Sequence, residues 1–229
     1  MIALGVVPAR GGSKGIPLKS LAPVAGQPLL AYTAAAAAAS RRLTRVVLST
    51  DSAEIAEAGR ALGLEVPFMR PPALATDDAP MLPVLQHALE ALAPGFVPDA
   101  VVLLQPTSPL RRAEHIDAAL DLLESSGADA VVIVVEVPHQ FSPSSVMTLE
   151  GNRLRPYGSQ PTVTRRQDKP PVYARNGPAV LAVRTAVLRR GSLYGDDTRP
   201  LIMQSRESLD VDDPWDLELA DLLLSTRVR

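Results

Sequence analysis

The residues of this sequence that are best suited to chemistry lie in one loop near the N-terminus. The loop follows a short apolar run at 2–7 and reads PARGGSKGIPLK at 8–19. Glycine lets backbone N–H groups approach anionic oxygens closely, and basic or hydroxyl side chains add charge and donors. The candidate phosphate ligands are Arg10, Gly11, Gly12, Ser13, Lys14 and Lys19. The pattern therefore predicts a loop that binds a triphosphate.

Two better-known phosphate-binding patterns do not fit this loop. The P-loop pattern GxxxxGK[ST] requires Lys-Ser or Lys-Thr after its second glycine, and the sequence has GGSKG instead. The dinucleotide fingerprint GxGxxG is also absent. Two glycines at a strand end would leave open a flexible turn with solvated lysines, and the length of the whole pattern favours phosphate binding.

The elements that must position the loop alternate between apolar strands and helices of about 10 to 15 residues. This alternation predicts βαβ units on a mainly parallel sheet, an α/β fold. Strands are expected at 2–7, 45–49, 64–68, 100–104 and 129–135, and helices at 28–40, 53–62, 81–92 and 112–125.

The alternation stops at 138–171, which is rich in Pro, Ser, Gln and Arg. A stretch of this length inside a compact domain favours a functional or interface element over a disordered loop. Strand character returns at 179–183 and 200–203, and Pro214 is expected to open a last helix.

Composition narrows the class of protein. With 229 residues, 46% of them hydrophobic, the chain is long enough for one substantial domain at 1–229. The formal net charge of −2 argues against nucleic acid or an anionic membrane as partner. No cysteine is present, which removes disulfides and thiolate chemistry. Without a signal peptide or membrane-spanning stretch, a cytoplasmic protein is expected.

The loop at 8–19 resembles the N-terminal signature of the CMP-N-acylneuraminate synthetase (acylneuraminate cytidylyltransferase) family. Other motifs resemble the same family in the same order along almost the whole chain. They are Ser49-Thr-Asp51, Arg70-Pro71, Leu74-Ala-Thr-Asp77, Leu104-Gln-Pro-Thr-Ser-Pro-Leu-Arg111, Arg165-Arg-Gln-Asp168, Asn176-Gly177 and Leu209-Asp-Val-Asp212. One motif alone would be moderately specific, and their shared order makes the resemblance strong.

The resemblance implies a three-layer Rossmann-like nucleotidyltransferase fold in which 138–171 is an inserted dimerisation subdomain of a homodimer. It implies an enzyme that transfers CMP from CTP to an acidic acceptor and releases pyrophosphate. Lys19 and Arg10 would act on the phosphates, with Lys19 closest to the α-phosphate. Arg70 would face the cytosine, and Gln105 would lie where nucleotide and acceptor meet.

Asp210 and Asp212 look like the metal-binding pair of that family. Residues i and i+2 on an extended segment point to one face, and two carboxylates suit Mg²⁺, the expected cofactor. Asp213 is instead expected to be the N-cap of the last helix. Asp51 is expected to cap the helix that follows it, with a role in the site as the alternative. No catalytic role is expected for the histidines, and Ser108 lacks the companions of a triad.

The acceptor half departs from the family. The family pattern R-P-N-G-A-I-Y is here ARNGPAV, so an arginine at 174 and a tyrosine at 180 are missing, and 193–197 lacks an expected aromatic pair. Arg165, Arg166 and Arg175 remain as cations for a small acid. We therefore expect a phosphonocarboxylate such as phosphonoformate, from phosphonate biosynthesis, slightly ahead of a sialic-acid-like nonulosonic acid. A catalytically inactive CTP-binding protein and a transferase for another base are the remaining alternatives.

Overall fold

A computed structural model describes residues 1–13, 15–158, 163, 165–175, 177 and 179–227. Its strands are β1 (Ala3–Pro8), β2 (Pro23–Val24), β3 (Gln27–Pro28), β4 (Arg45–Ser49), β5 (Ala100–Leu103), β6 (Ala130–Glu136), β7 (Met147–Glu150), β8 (Arg153–Pro156), β9 (Tyr173–Ala174), β10 (Leu181–Arg184) and β11 (Thr198–Ile202). Its α-helices are α1 (Leu29–Ala39), α2 (Ala53–Ala61), α3 (Met81–Leu92), α4 (Ala113–Ser126), α5 (Thr185–Arg189) and α6 (Pro214–Arg227).

One mixed, mostly parallel sheet organises the described part of the chain. Its strand order is β11-β6-β10-β5-β1-β4, and β9 pairs with β6. β1 lies parallel between β4 and β5, and β6 is parallel to β11. β10 is antiparallel to both of its neighbours. The expected α/β fold is confirmed, with β10 as an antiparallel member whose apolar run resembles those of the parallel strands.

Helices cover both faces of the sheet because the side chains of each strand alternate between two cores. In β1, Ala3 and Val7 pack with residues of α1, α2 and α4, whereas Leu4 and Val6 pack with residues of α3 and α5. Burial of these apolar side chains, at about 25 cal/mol per Å², is the main force that holds the layers together. The three-layer arrangement is therefore confirmed.

A third apolar cluster fastens the C-terminal segment to the N-terminal loop. Val211 packs in it with Ile16 from the glycine-rich loop, Leu110 from the segment after β5, and Leu224 from α6. The short hairpin β2–β3 contributes Val24 to the same cluster. This cluster brings residues that are almost 200 positions apart in the chain to one edge of the sheet.

Three predictions about elements are corrected by the structure. Residues 64–68 form only a single bridge, from Val47 to Glu65, because Pro67 has no N–H to continue a ladder. Pro28 is the N-cap of α1 and not its first residue. The stretch 138–171, expected to be irregular, contains the hairpin β7–β8, in which every residue is exposed.

The topology determines where a ligand can bind. β1, β4 and β5 are parallel neighbours, so their carboxyl ends meet at one edge of the sheet. The chain leaves β1 towards β4 on one side and later returns to β5 on the other side. In α/β sheets, the crevice at such a switch point is the usual ligand site.

Candidate active site

A cavity of about 400 Å³ opens at this switch point. Its wall is built from the loop after β1, the end of the segment that follows α2, the segment after β5, and the segment before α6. The polar residues that line it include Arg10, Ser13, Lys19, Arg70, Gln105, Asp210 and Asp212. Residues that the sequence places far apart are therefore brought together at the predicted position.

Asp51 holds the glycine-rich loop in place. Its Oδ1 accepts a hydrogen bond from the N–H of Gly11 at 2.9 Å. The N-cap of α2 is Ser52, whose Oγ accepts from the N–H of Ile55 at 3.3 Å, so the expectation that Asp51 caps this helix is wrong. Because the Gly11 N–H already has this partner, Gly11 serves to shape the loop. A Cβ at Gly11 would lie 3.1 Å from the Cβ of Ser52, which explains the glycine there.

The other residues of the loop differ in their relation to the cavity. Ser13 and Gly15 line it, whereas Gly12 is exposed outside the lining. At Gly15, a Cβ would come within 2.9 Å of the backbone oxygen of Asp212, so the absence of a side chain lets the loop approach the acidic segment. The remaining predicted phosphate ligand, Lys14, lies outside the described residues.

Arg10 reaches the cavity with its guanidinium paired to a carboxylate. Its Nη1 lies 2.6 Å from Oδ1 of Asp77, in the motif LATD, and both side chains are about one third exposed. A charge-assisted pair of this kind orients the planar guanidinium. Asp77 was not predicted as a site residue, although its motif was among those that carried the family resemblance.

Lys19 joins the basic loop to the acidic segment. Its Nζ donates to the backbone oxygen of Val211 at 2.8 Å and to Oδ1 of Asp212 at 3.3 Å. Only 17% of the Lys19 side chain is exposed, so its ammonium is held in the cavity wall and does not move freely in solvent. The structure therefore places the predicted phosphate lysine against the predicted metal pair.

Asp210 has the features of a cation ligand. Among the described residues its buried Oδ1 has no hydrogen-bond partner. Burial raises the pKa of Asp210; a hydrogen bond from Thr107 opposes this, and the charge of Asp212 adds to it. Gly177 lies so close that a Cβ there would be 1.9 Å from Oδ2 of Asp210. An unpartnered carboxylate oxygen beside a second carboxylate costs free energy unless a cation binds.

The carboxylates of Asp210 and Asp212 fit Mg²⁺ as two of its six ligands. Asp212, two residues after Asp210, lines the same cavity with 78% of its side chain exposed. Within the described ranges no group of three or more acidic or histidine side chains forms a complete metal cage. Mg²⁺ commonly binds through one or two carboxylates and completes its octahedron with water and substrate phosphates. Asp210 and Asp212 are therefore suited to hold a divalent cation whose remaining ligands are water and, when a nucleotide is bound, its phosphates.

One residue of the cavity lining, Arg70, is a buried arginine. Arg70 donates through Nε to Oγ of Ser49 at 3.1 Å and through its terminal nitrogen to the Ser49 carbonyl oxygen. Burial lowers the pKa of Arg70 to about 10, so it remains protonated at neutral pH. It is 5% exposed, and its guanidinium is held in the cavity wall by these hydrogen bonds.

Arg111 is a structural residue of the site that sequence reasoning missed. It donates to the carbonyl oxygens of Gln105 at 2.9 Å and Ala179 at 2.8 Å, and to the Thr33 hydroxyl. Burial lowers its pKa to about 9. Arg111 thus ties the segment that carries Gln105 to α1 and to the start of β10. The available signal was its place at the end of the motif LQPTSPLR.

The three predicted acceptor arginines do not line this cavity. Arg166 lines a second cavity of about 720 Å³, together with His139 and Lys169. The guanidinium of Arg175 stacks over the ring of Tyr194, 4.6 Å from its centroid. Arg165 is exposed.

Val180, which stands where the family pattern has tyrosine, is a packing residue. The side chain of Val180 is fully buried in the core between β1, β5 and α4, so it cannot contact an acceptor. The missing tyrosine at 180 therefore says little about which acid is bound. Ala174, the other departure, lies on β9 opposite Val135 and is partly exposed.

A glycine-rich basic loop and a carboxylate pair that meet in a switch-point cavity indicate the class of protein. This combination is typical of a nucleotidyltransferase. The comparisons with known proteins specify the class further.

A family model described as Cytidylyltransferase matches residues 4–221. CMP-N,N'-diacetyllegionaminic acid synthase of Legionella pneumophila is 34% identical over 98% of this chain and 97% of its own length. N-acylneuraminate cytidylyltransferase of Escherichia coli is 31% identical over 95% of this chain, which spans only 51% of that protein. The chain belongs to the cytidylyltransferase family, with the CMP-sialic acid synthetases, and is a CTP-dependent nucleotidyltransferase.

Solved structures confirm the fold. The structure of CMP:2-keto-3-deoxy-manno-octonic acid synthetase complexed with CTP superposes with a TM-score of 0.77 at 20% identity, and covers 99% of this chain and 100% of its own. The nucleotidyltransferase fold expected from the resemblance is thereby confirmed. Across the described residues, none of the helices combines the length and apolarity required to cross a membrane.

Proposed function

We propose that this enzyme transfers CMP from CTP to a sialic-acid-like nonulosonic acid, with Mg²⁺ as cofactor, and releases pyrophosphate. The observation that carries the proposal is the meeting of Lys19 with Asp210 and Asp212 in the switch-point cavity. Cationic and acidic groups side by side suit a reaction in which phosphate charge is bound by a lysine and by a metal together.

In the proposed reaction a hydroxyl oxygen of the acceptor attacks the α-phosphorus of CTP and releases its proton to solvent water. A new P–O bond forms to the acceptor, the bond from the α-phosphorus to the bridging oxygen breaks, and pyrophosphate leaves with that electron pair. Lys19 exchanges its contacts with Val211 and Asp212 for phosphate oxygens, and Arg10 shares its guanidinium between Asp77 and the phosphates. Bound Mg²⁺, held by Asp210 and Asp212, would supply charge neutralisation on the phosphates. The protein's part is mainly positioning and electrostatics.

Two lines of argument favour a nonulosonic acid over a phosphonocarboxylate. Relatives that match almost their full length with this chain include the legionaminic acid synthase and pseudaminic acid cytidylyltransferases of Campylobacter jejuni, the latter at 28% and 27% identity. Val180, which seemed to remove an acceptor contact, is buried in the core. A phosphonocarboxylate remains the second candidate because Ala174 leaves a partly exposed position without the arginine of the family pattern.

We also propose that the enzyme is a homodimer that uses the β7–β8 hairpin and its flanks. This region displays a set of large, exposed apolar side chains: Phe141, Met147, Leu149, Leu154, Tyr157 and Tyr173. A two-stranded hairpin is only marginally stable without a covering partner, and an exposed apolar patch marks an interface. Leu149→Asp should convert a dimer to a monomer in light scattering coupled to gel filtration. An unchanged mass would contradict this interface.

The proposed activity is tested with purified protein, CTP, Mg²⁺ and pyrophosphatase, by measuring phosphate release and the mass of the product. The acceptors are N-acetylneuraminate, a legionaminic acid, a pseudaminic acid and phosphonoformate, and UTP, GTP and ATP replace CTP as controls. We expect a CMP conjugate of one nonulosonic acid with CTP alone. Turnover with phosphonoformate only would replace the acceptor assignment, and CTP binding without turnover on any acceptor would support an inactive CTP-binding protein.

A further inference from the structure

Glu207 is a buried carboxylate that lies outside the cavity, three residues before Asp210. It is 6% exposed and ends a short 3-10 turn at Ser205–Glu207. Its Oε1 lies 3.2 Å from a terminal nitrogen of Arg112, and its Oε2 lies 3.5 Å from Nε2 of His115. None of these three side chains lines the nucleotide cavity. The ion pair is therefore not explained by contact with a substrate.

Arg112 and His115 present a pre-arranged partner to Glu207. They lie at the start of α4, where Nδ1 of His115 accepts the backbone N–H of Arg112 at 3.2 Å. Since Nδ1 accepts, the proton of the neutral ring lies on Nε2 and points at Glu207. A carboxylate at a helix N-terminus is also favoured by the helix dipole. The N-terminus of α4 thus holds Glu207 through two side chains, Arg112 and His115.

The same stretch of chain holds the other end of the acidic segment. The carbonyl oxygen of Thr107 accepts the N–H of Val211 at 2.8 Å. Leu110 packs against Val211 in the third apolar cluster. Residues 107–115 therefore contact the segment 207–211 at two separate points, one on each side of Asp210.

We propose that Glu207 is a positioning residue for the carboxylates of Asp210 and Asp212 and so controls the affinity of the site for a divalent cation. The inference deepens the proposed function and rests on its assignment of the metal pair. A buried ion pair contributes little net stability, and its best-supported use is to fix geometry. Groups that orient metal ligands typically change metal affinity by about 10–100-fold when they are removed.

The test compares Glu207→Gln with Glu65→Gln, which removes a different glutamate–arginine pair, 2.7 Å from Arg45 and remote from the cavity. Arg112→Gln serves as a milder variant, because Arg112 is half exposed and its loss leaves His115 in place. Two readouts are used. The first is Mn²⁺ binding to the protein without nucleotide, from the EPR signal of free Mn²⁺. The second is the Mg²⁺ concentration that gives half-maximal turnover of CTP at saturating acceptor.

We expect Glu207→Gln to weaken Mn²⁺ binding at least about tenfold and to raise the half-maximal Mg²⁺ concentration by a similar factor. The KM for CTP at saturating Mg²⁺ should stay within about twofold. Arg112→Gln should move both readouts in the same direction by a smaller factor, and Glu65→Gln should move neither. Glu207→Asp, which keeps the charge, should restore part of the loss.

A folded Glu207→Gln protein with wild-type Mn²⁺ binding and Mg²⁺ dependence would overturn the inference. If Glu207→Gln does not fold, wild-type values in Arg112→Gln would overturn it equally. Different results would overturn the proposed function and the role of Glu207. If the wild type does not turn over CTP, the proposed function is wrong, and the Mn²⁺ comparison still tests Glu207. If the wild type does not bind Mn²⁺, the positioning role of Glu207 is wrong.

Discussion

Replacement of Asp210 by asparagine should make the protein more stable and the enzyme far slower. The buried Oδ1 of Asp210 has no hydrogen-bond partner among the described residues, and burial raises the pKa of this carboxyl. Removing an incompletely paired buried charge should stabilise the fold by about 1 kcal/mol, or about 2–4 °C in Tm for a chain of this size. Loss of a metal ligand should lower kcat/KM by at least about 100-fold.

Asp213, three residues further on, provides a matched control with the opposite outcome. Its Oδ1 accepts the N–H of Asp216 at 3.0 Å, which confirms the prediction that it caps α6. Asp213→Ala should cost about 1 kcal/mol, lower Tm by about 2–4 °C, and leave kcat/KM within a few-fold.

The Tm of both variants is measured by calorimetry without nucleotide, and kcat/KM by steady-state kinetics at saturating Mg²⁺. The reasoning is refuted if Asp210→Asn lowers Tm and keeps most of the activity, because Asp210 would then be an ordinary structural carboxylate. It is also refuted if Asp213→Ala removes activity without any loss of stability.

Three other substitutions test separate parts of the site. Asp51→Ala removes the hydrogen bond that shapes the glycine-rich loop. The KM for CTP should therefore rise about tenfold, the equivalent of about 1.4 kcal/mol. An unchanged KM would show that the loop does not need this hydrogen bond. Arg111→Met leaves the carbonyl oxygens of Gln105 and Ala179 without their donor. The free energy of unfolding, measured in urea, should therefore fall by about 3 kcal/mol. A decrease of less than about 1 kcal/mol would contradict the structural role of Arg111. Burial lowers the pKa of His115 in the folded protein. As the pH falls below about 6.5, this histidine is therefore protonated in the unfolded chain before it is protonated in the folded one. The folded state loses stability from that pH down to the lower pKa of the folded protein. His115→Gln should therefore show a smaller decrease in Tm between about pH 7 and pH 5 than the wild type, and parallel curves would count against this assignment.

The sheet and the place of the glycine-rich loop in the cavity could be predicted because their signals are local. Short apolar runs define β1, β4 and β5, and the glycines and cations between 8 and 19 mark a candidate binding loop without any knowledge of the rest of the chain. The direction of β10 could not be predicted, because an apolar run buried on both faces looks the same in a parallel and an antiparallel strand.

Contacts between residues that are far apart in the chain were the main features that the sequence could not predict. Asp51 was expected to cap α2 because it precedes a helix, yet its carboxylate bonds Gly11, 40 positions away. The partners of Arg10 and Glu207 are likewise set by the tertiary fold and not by spacing. The assignment of the arginines at 165, 166 and 175 to the acceptor stays a prediction, because charge alone does not specify which cavity a side chain faces.

We propose that CTP is cleaved between its α- and β-phosphorus atoms in the cavity that contains Lys19, Asp210 and Asp212. The most direct test uses CTP that carries ³²P in the α-phosphate, together with the accepted sugar acid and Mg²⁺, and follows the label by chromatography. The account predicts that all converted label appears in the CMP–sugar acid conjugate, with one unlabelled pyrophosphate formed per conjugate. Label recovered in CDP, or in free CMP at equal rates with and without acceptor, would contradict it.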